Sequence, residues 1–250
     1  MIILSLLSLL CGIVVWEIYR AVMVRAVSSQ SEVIARVAAF VAQGSGDVAA
    51  LRGGVSLRSF ALAVVYVASH IELRSHSRVE VVVRYYLLDS YLLNSALKCR
   101  NSDSRAYNLA LLAHLPMDDS VVEQLLPLLH DNSGSVRFAA LMAIVAARPD
   151  VAVVALGALR TQLTYAEVAQ LLSVLCRGIC LVPYTPLLFS DNYNMQLFGL
   201  ALVRRFGIAE CRSRIVEIVE QQNHPLRQQA VEALASFSID ELQGQNTVTV

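Results

Sequence analysis

Three times in this chain an arginine is followed by apolar residues at the third, fourth, sixth and seventh positions after it. RSFALAVV opens at Arg58, RFAALMAIV at Arg137 and RQQAVEALA at Arg227. The aligned sets are Ala61/Leu62/Val64/Val65, Ala140/Leu141/Ala143/Ile144 and Ala230/Val231/Ala233/Leu234. Shifted copies occur at Ala110-Leu111 with Ala113 and at Gly199-Leu200 with Leu202. From Ala110 to Ala140, Gly199 and Ala230 the steps are 30, 59 and 31, so the period is near thirty, with one further unit around Leu171. Self-similarity at a fixed period marks a repeat architecture, and spacing by three and four marks one face of a helix. Such a unit is one αα-hairpin. The small residue at its first contact position lets a neighbouring helix approach closely.

The punctuation agrees with that reading. No stretch after Ser31 alternates with period two. Breaks fall at Gly44-Ser45-Gly46, Gly53-Gly54, Arg100-Asn101-Ser102, Pro116, Asp131-Asn132-Ser133-Gly134, Pro149, Pro183, Asp191-Asn192 and Asn223-His224-Pro225. Clusters of this kind separate helices of about ten to twenty residues. Arg78 to Lys98 reads as one long second helix, and Pro127 is expected to bend the helix that contains it by removing a backbone bond. Pro149-Asp150 opens another helix, and Pro225 belongs in a first turn.

DNSGSVRFAALMAIVAARPDVAVVALGAL (Asp131–Leu159) resembles a bacterial HEAT unit almost throughout. The resemblance covers Asn101 to Phe237 well and Ser31 to Lys98 weakly. It implies an all-α fold, a right-handed α-solenoid of HEAT-like helix pairs, here preceded by one transmembrane helix. It also implies that an aspartate in the inter-repeat turn and an arginine six residues later bond between repeats. Asp131 and Arg137 match that spacing, with Arg58 and Arg227 at the corresponding arginine positions. Gln221 and Arg52 stand where the other units would carry the aspartate. The expected organisation is an anchor over 1–27, a repeat solenoid over 28–238 and a flexible tail over 239–250. Ser29 or Ser31, in a short linker from Ser28 to Ser31, is expected to cap the first helix of the solenoid.

The anchor is read from IILSLLSLLCGIVVW (Ile2–Trp16), which carries no charge. Met1 through Tyr19 would span roughly 28 Å as a helix, close to a hydrocarbon thickness of roughly 30 Å. Trp16 and Tyr19 then fall at an aromatic belt, with Arg20 and Arg25 following and no basic residue before the run. That asymmetry places the bulk of the chain on the cytosolic side of the cytoplasmic membrane, as a single-pass protein held through residues 2–19. The other apolar runs, such as Phe60–Ala68 and Phe138–Ala147, are about half the length a span requires.

Composition narrows the chemistry. Hydrophobic residues make up 56% of the 250 and charged residues 16%, with twenty basic and twenty acidic side chains. A zero net charge argues against a broad nucleic-acid surface, so none is expected as a partner. From Arg52 to Arg105 there is nevertheless an excess of positive charge. It either faces an anionic leaflet or is the sum of ordinary solvated helix faces. The five cysteines are irregularly spaced, which suits free thiols in a reducing compartment. Cys176 and Cys180 share a helix face, but no further Cys or His lies near enough in sequence to complete a zinc site. Lys98 is the only lysine. No phosphate-cradling loop, nucleophile elbow or zinc-protease motif is present.

No catalytic residue, cofactor or metal site is therefore expected. The function expected is that of a membrane-anchored interaction scaffold binding a protein partner, itself membrane-associated, on its second-helix surface. Glu123, Gln124, Arg160, Arg212, Arg214 and Glu217 are the polar second-helix positions offered as contacts. Two alternatives stay open: an enzyme or accessory subunit acting on a lipid or glycan at the membrane, or a HEAT-like nucleic-acid binder.

Overall fold

A computed structural model of the protein describes residues 29–70, 76–175 and 184–245, and among them every regular element is helical. The anchor segment, Cys176, Cys180 and residues 246–250 lie outside the described residues. Among the described residues no helix is long and apolar enough to cross a membrane. The chain divides into two compact units, Met1–Leu88 and Asp89–Val250.

The first unit contains α1 (29–43), α2 (Leu57–His70) and α3 (His76–Tyr86), whose buried residues are rich in valine. Val33, Val37 and Val41 recur every four residues on α1, and they are buried, as are Phe60, Val64 and Val67 of α2 and Val79, Val82 and Val83 of α3. Gly44 ends α1 at φ +69, a left-handed conformation that a Cβ would strain. The last carbonyls of α1 lack intrahelical donors. Arg78 supplies them, its Nη1 donating to the Val41 oxygen at 2.7 Å and to that of Ala42 at 2.6 Å. A cation there also opposes the negative end of the helix dipole. Residues 29 to 31 are already helical, so these three residues of the expected linker belong to α1.

A single long helix over Arg78 to Lys98 is not observed. The backbone breaks at Leu87, the one non-glycine with positive φ among the described residues (φ +50), and divides α3 from α4 (Leu88–Lys98). No glycine or proline marks the break in the sequence.

The second unit continues with α5 (Ser102–Leu112), α6 (Asp119–Leu125), α7 (Gly134–Ala147), α8 (Ala152–Ala158), α9 (Tyr165–Leu175), α10 (Tyr184–Leu188), α11 (Tyr193–Phe206), α12 (Arg212–Glu220) and α13 (Arg227–Gln245). The odd-numbered helices from α5 onward form a series in which each packs on the next: α5 on α7, α7 on α9, α9 on α11, α11 on α13. Between them come the shorter second helices, α6, α8, α10 and α12, of which α10 packs on α11 and α12 on α13. The residues that immediately precede the first helices are Asn101, Ser133, Thr164, Asn192 and Leu226, at intervals of 32, 31, 28 and 34.

Local chemistry sets these starts. The Asn101 side chain accepts from the amides of Asp103 and Ser104, and that of Asn192 from Asn194 and Met195. Thr164 and Glu167 form a capping box: the threonine oxygen accepts from the Glu167 amide and the glutamate accepts from the Thr164 amide. Pro127 converts the end of α6 into a 3-10 turn, Leu126–His130.

Counting from the residue before each first helix corrects the repeat register. The seventh residue after each is Asn108, Ala140, Leu171, Gly199 and Ala233, and the eleventh is Leu112, Ile144, Leu175, Val203 and Phe237; all ten are buried. Ala110, aligned by sequence with Ala140, is exposed, so Asn108 takes the inward position instead. Identity of small residues shifts the alignment by two positions on α5 and by three on α13, where Ala233 rather than Ala230 corresponds to Ala140, whereas burial follows helical phase from the helix start. At Gly199 a Cβ would stand 3.1 Å from the side chains of Leu187 and Leu188, so α10 approaches α11 closely through the missing side chain. Helix α13 runs to Gln245, into the segment read as a tail. Glu241, Leu242 and Gln243 are good helix formers that extend it.

Candidate functional site

Arginine is the residue that joins these helices. Asp131, in the turn before α7, receives the Nη2 of Arg105 from α5 at 2.6 Å and the Ser133 amide at 2.9 Å. Burial pushes the Asp131 carboxyl up, but those two donors and the nearby charge of Arg137 outweigh it and hold the group below its ordinary value. Arg137 meets Asp131 through the backbone: its Nη1 donates to the Asp131 carbonyl at 2.6 Å and to that of Asn132 at 3.1 Å. Arg105 and Arg137 each stand four residues after a cap. Arg227 donates to the Val219 carbonyl at the end of α12, at 2.9 Å. Arg58 is exposed on the first turn of α2 and makes no ion pair with a described residue. A buried asparagine makes a similar link: Asn194 accepts from the Leu163 amide at 2.7 Å and donates to the Thr161 carbonyl at 2.9 Å, fixing the start of α11 against the loop before α9.

Five of the six residues expected on second helices lie on two of them, α6 and α12, and Arg160 falls past the end of α8. Glu123 and Gln124 are exposed on α6, where Gln124 bonds its own helix at Ser120. Arg160 is exposed just beyond α8. On α12, Arg212 and Glu217 are exposed, while Arg214 is half-buried. Arg214 bonds Glu217 at 2.7 Å, reaches the Leu188 carbonyl at 3.4 Å and lies 5.1 Å from the centre of the Phe189 ring. It therefore ties α12 to the end of α10, a role its position on a second helix did not reveal.

Sequence reasoning missed a groove on the first helices. It is an open cleft of about 420 Å³ between α9 and α11. Tyr165, Ala169, Leu172 and Ser173 form one wall, at the spacing of one helical face. Ala201, Arg204 and Arg205 form the other. Arg204 donates to the Tyr165 hydroxyl at 2.8 Å and to the Glu232 carboxylate of α13 at 2.6 Å, and its guanidinium lies 5.8 Å from the Tyr165 ring centre. Arg205, the next residue, is exposed. The signal in the sequence was the Arg204-Arg205 pair at the end of a helix together with alanines at 169 and 201. Neither points to a groove until α9 and α11 are brought together.

The basic stretch between Arg52 and Arg105 is distributed over separate local contacts. Arg52 bonds the Val55 carbonyl at 2.7 Å, Arg78 caps α1, Arg84 pairs with Glu80 four residues back, and Arg105 pairs with Asp131. Cys211 is buried, which pushes its thiol up, away from thiolate reactivity. Among the described residues no group of three or more Cys, His, Asp or Glu side chains is placed to hold a metal ion. Comparisons with family models, with characterised proteins and with solved structures find no match to this chain, so its assignment rests on the residues and geometry above.

Proposed function

We propose that the protein is a non-enzymatic scaffold: a HEAT-like solenoid of helix pairs, tethered to the cytoplasmic membrane through residues 2–19 with the helical units on the cytosolic side. The observation that carries this reading is the series of first helices, begun at intervals of 28 to 34 residues and each packed on the next. Helix pairs stacked in this way leave a long face uncovered by the chain itself, which is how repeat proteins present an extended surface to a partner. Glu123 and Gln124 on α6, Arg212 and Glu217 on α12, and Arg160 just beyond α8 are exposed, and we assign them as the surface for a membrane-associated protein. Arg52, Arg78, Arg84 and Arg105 of the basic stretch each engage a carbonyl or a carboxylate separately, which favours packing over catalysis for these four.

Two measurements test the reading. Membrane fractionation with protease accessibility should recover the chain in the membrane fraction with its helical units open to protease from the cytosolic side. A fragment beginning at Ser29 should enrich a partner that a variant reversed at Glu123, Arg160, Arg212 and Glu217 does not. Equal capture by the reversed variant, or recovery of the full chain in the soluble fraction, would count against the proposal.

A further inference from the structure

The groove between α9 and α11 stands apart from the second-helix surface and carries its own chemistry. Its mouth already accepts one carboxylate: Glu232 reaches over from α13 to within 2.6 Å of Arg204, beside the Tyr165 hydroxyl. Held on two sides, Arg204 forms a fixed wall, so a ligand need not order it on arrival. Arg205 lines the same cleft and pairs with no carboxylate among the described residues. Its guanidinium fork suits bidentate pairing with a carboxylate. Ala169, Leu172 and Ala201 supply the apolar part of the lining. A volume of about 420 Å³ falls at the small end of the range for ligand sites, room for a few side chains.

We propose that this groove is a docking site for an acidic peptide segment of a partner protein. One Asp or Glu carboxylate of that segment pairs with Arg205, and a neighbouring apolar side chain lies on Ala169, Leu172 and Ala201. Charge selects the peptide over a nucleic acid. Glu232 neutralises Arg204, leaving one uncompensated cation at the cleft, which matches a single carboxylate and falls short of the several phosphate contacts a polyanion needs.

The test uses the full chain in detergent and fluorescein-labelled hexapeptides in which one leucine is walked through five glutamates, read by anisotropy. At least one register should bind, and its glutamine counterpart should bind at least tenfold more weakly, about 1.4 kcal/mol. Arg205→Gln should cause the same loss, and Ala169→Phe, which enlarges an exposed apolar lining residue, should weaken binding at least fivefold. Arg100→Gln, an exposed arginine elsewhere, should leave it unchanged. Circular dichroism confirms that each variant is folded. Three results would overturn the assignment: no glutamate peptide binds, the glutamine set binds equally, or Arg205→Gln has no effect. Binding of labelled polyuridine in place of the peptides, lost in Arg205→Gln, would assign the cleft to a polyanion instead. The peptides report on the groove alone, so their failure would leave the second-helix reading standing, and a failed capture would leave groove binding measurable.

Discussion

At the scale of single residues, the fold depends on polar side chains placed where helices meet. Asp131 is the clearest case, because one carboxylate both caps the turn before α7 and holds Arg105 from α5. Its folded pKa lies below the ordinary carboxylate value of about 3.9, so the unfolded chain takes up a proton first as pH falls. The stabilisation is therefore complete above that value and is lost as pH drops through it toward the lower folded pKa. Asp131→Asn keeps an oxygen for the Ser133 amide but removes the charge. We expect it to cost about 1–3 kcal/mol at pH 7, the range for a hydrogen bond to a charged group. The difference from wild type should shrink between pH 5 and pH 3 in urea unfolding. A difference that stays constant over that range would show that the charge is not what Asp131 contributes. These roles were only half legible in the sequence. The Asp131–Arg137 spacing flagged the correct turn, but the carboxylate's partner lies 26 residues upstream, and a contact at that separation leaves no local trace.

At the scale of elements, the caps were readable and the register was not. Asn101 and Asn192 both stand at visible breaks and start helices through the side-chain bonds their type favours. The inward phase on α5 was missed because Ala110 resembles Ala140 while Asn108, a polar residue, occupies the buried position. Leu87 gave no warning of its break, and the α9–α11 groove needs two helices whose adjacency no motif encodes. Gly199, by contrast, was identified by its small size and does sit at a close helix contact. Gly199→Val should destabilise the protein by about 1–3 kcal/mol, since the added methyls must displace Leu187 and Leu188 from a packed site. Thermal unfolding checks this, and an unchanged or raised midpoint would mean that α10 gives way easily.

For the whole molecule, the solenoid we propose makes the helix pairs of the second unit depend on their immediate neighbours rather than on one shared centre. The all-helical class and the near-thirty period were legible because both arise from local periodicity. Whether the exposed surface binds a partner was not, since exposed charges look alike whether or not anything binds them. Nearest-neighbour stacking has a direct consequence for truncation: units removed from one end weaken the remainder without abolishing its fold. The decisive measurement is urea unfolding of a chain ending at Arg160, which keeps the helices through α8 and removes α9 to α13. The account predicts a cooperative transition, native helicity per residue, and a urea slope near two-thirds of the full-length value, because that slope scales with the surface exposed on unfolding. A truncated chain with no transition and the circular dichroism of a coil would contradict it.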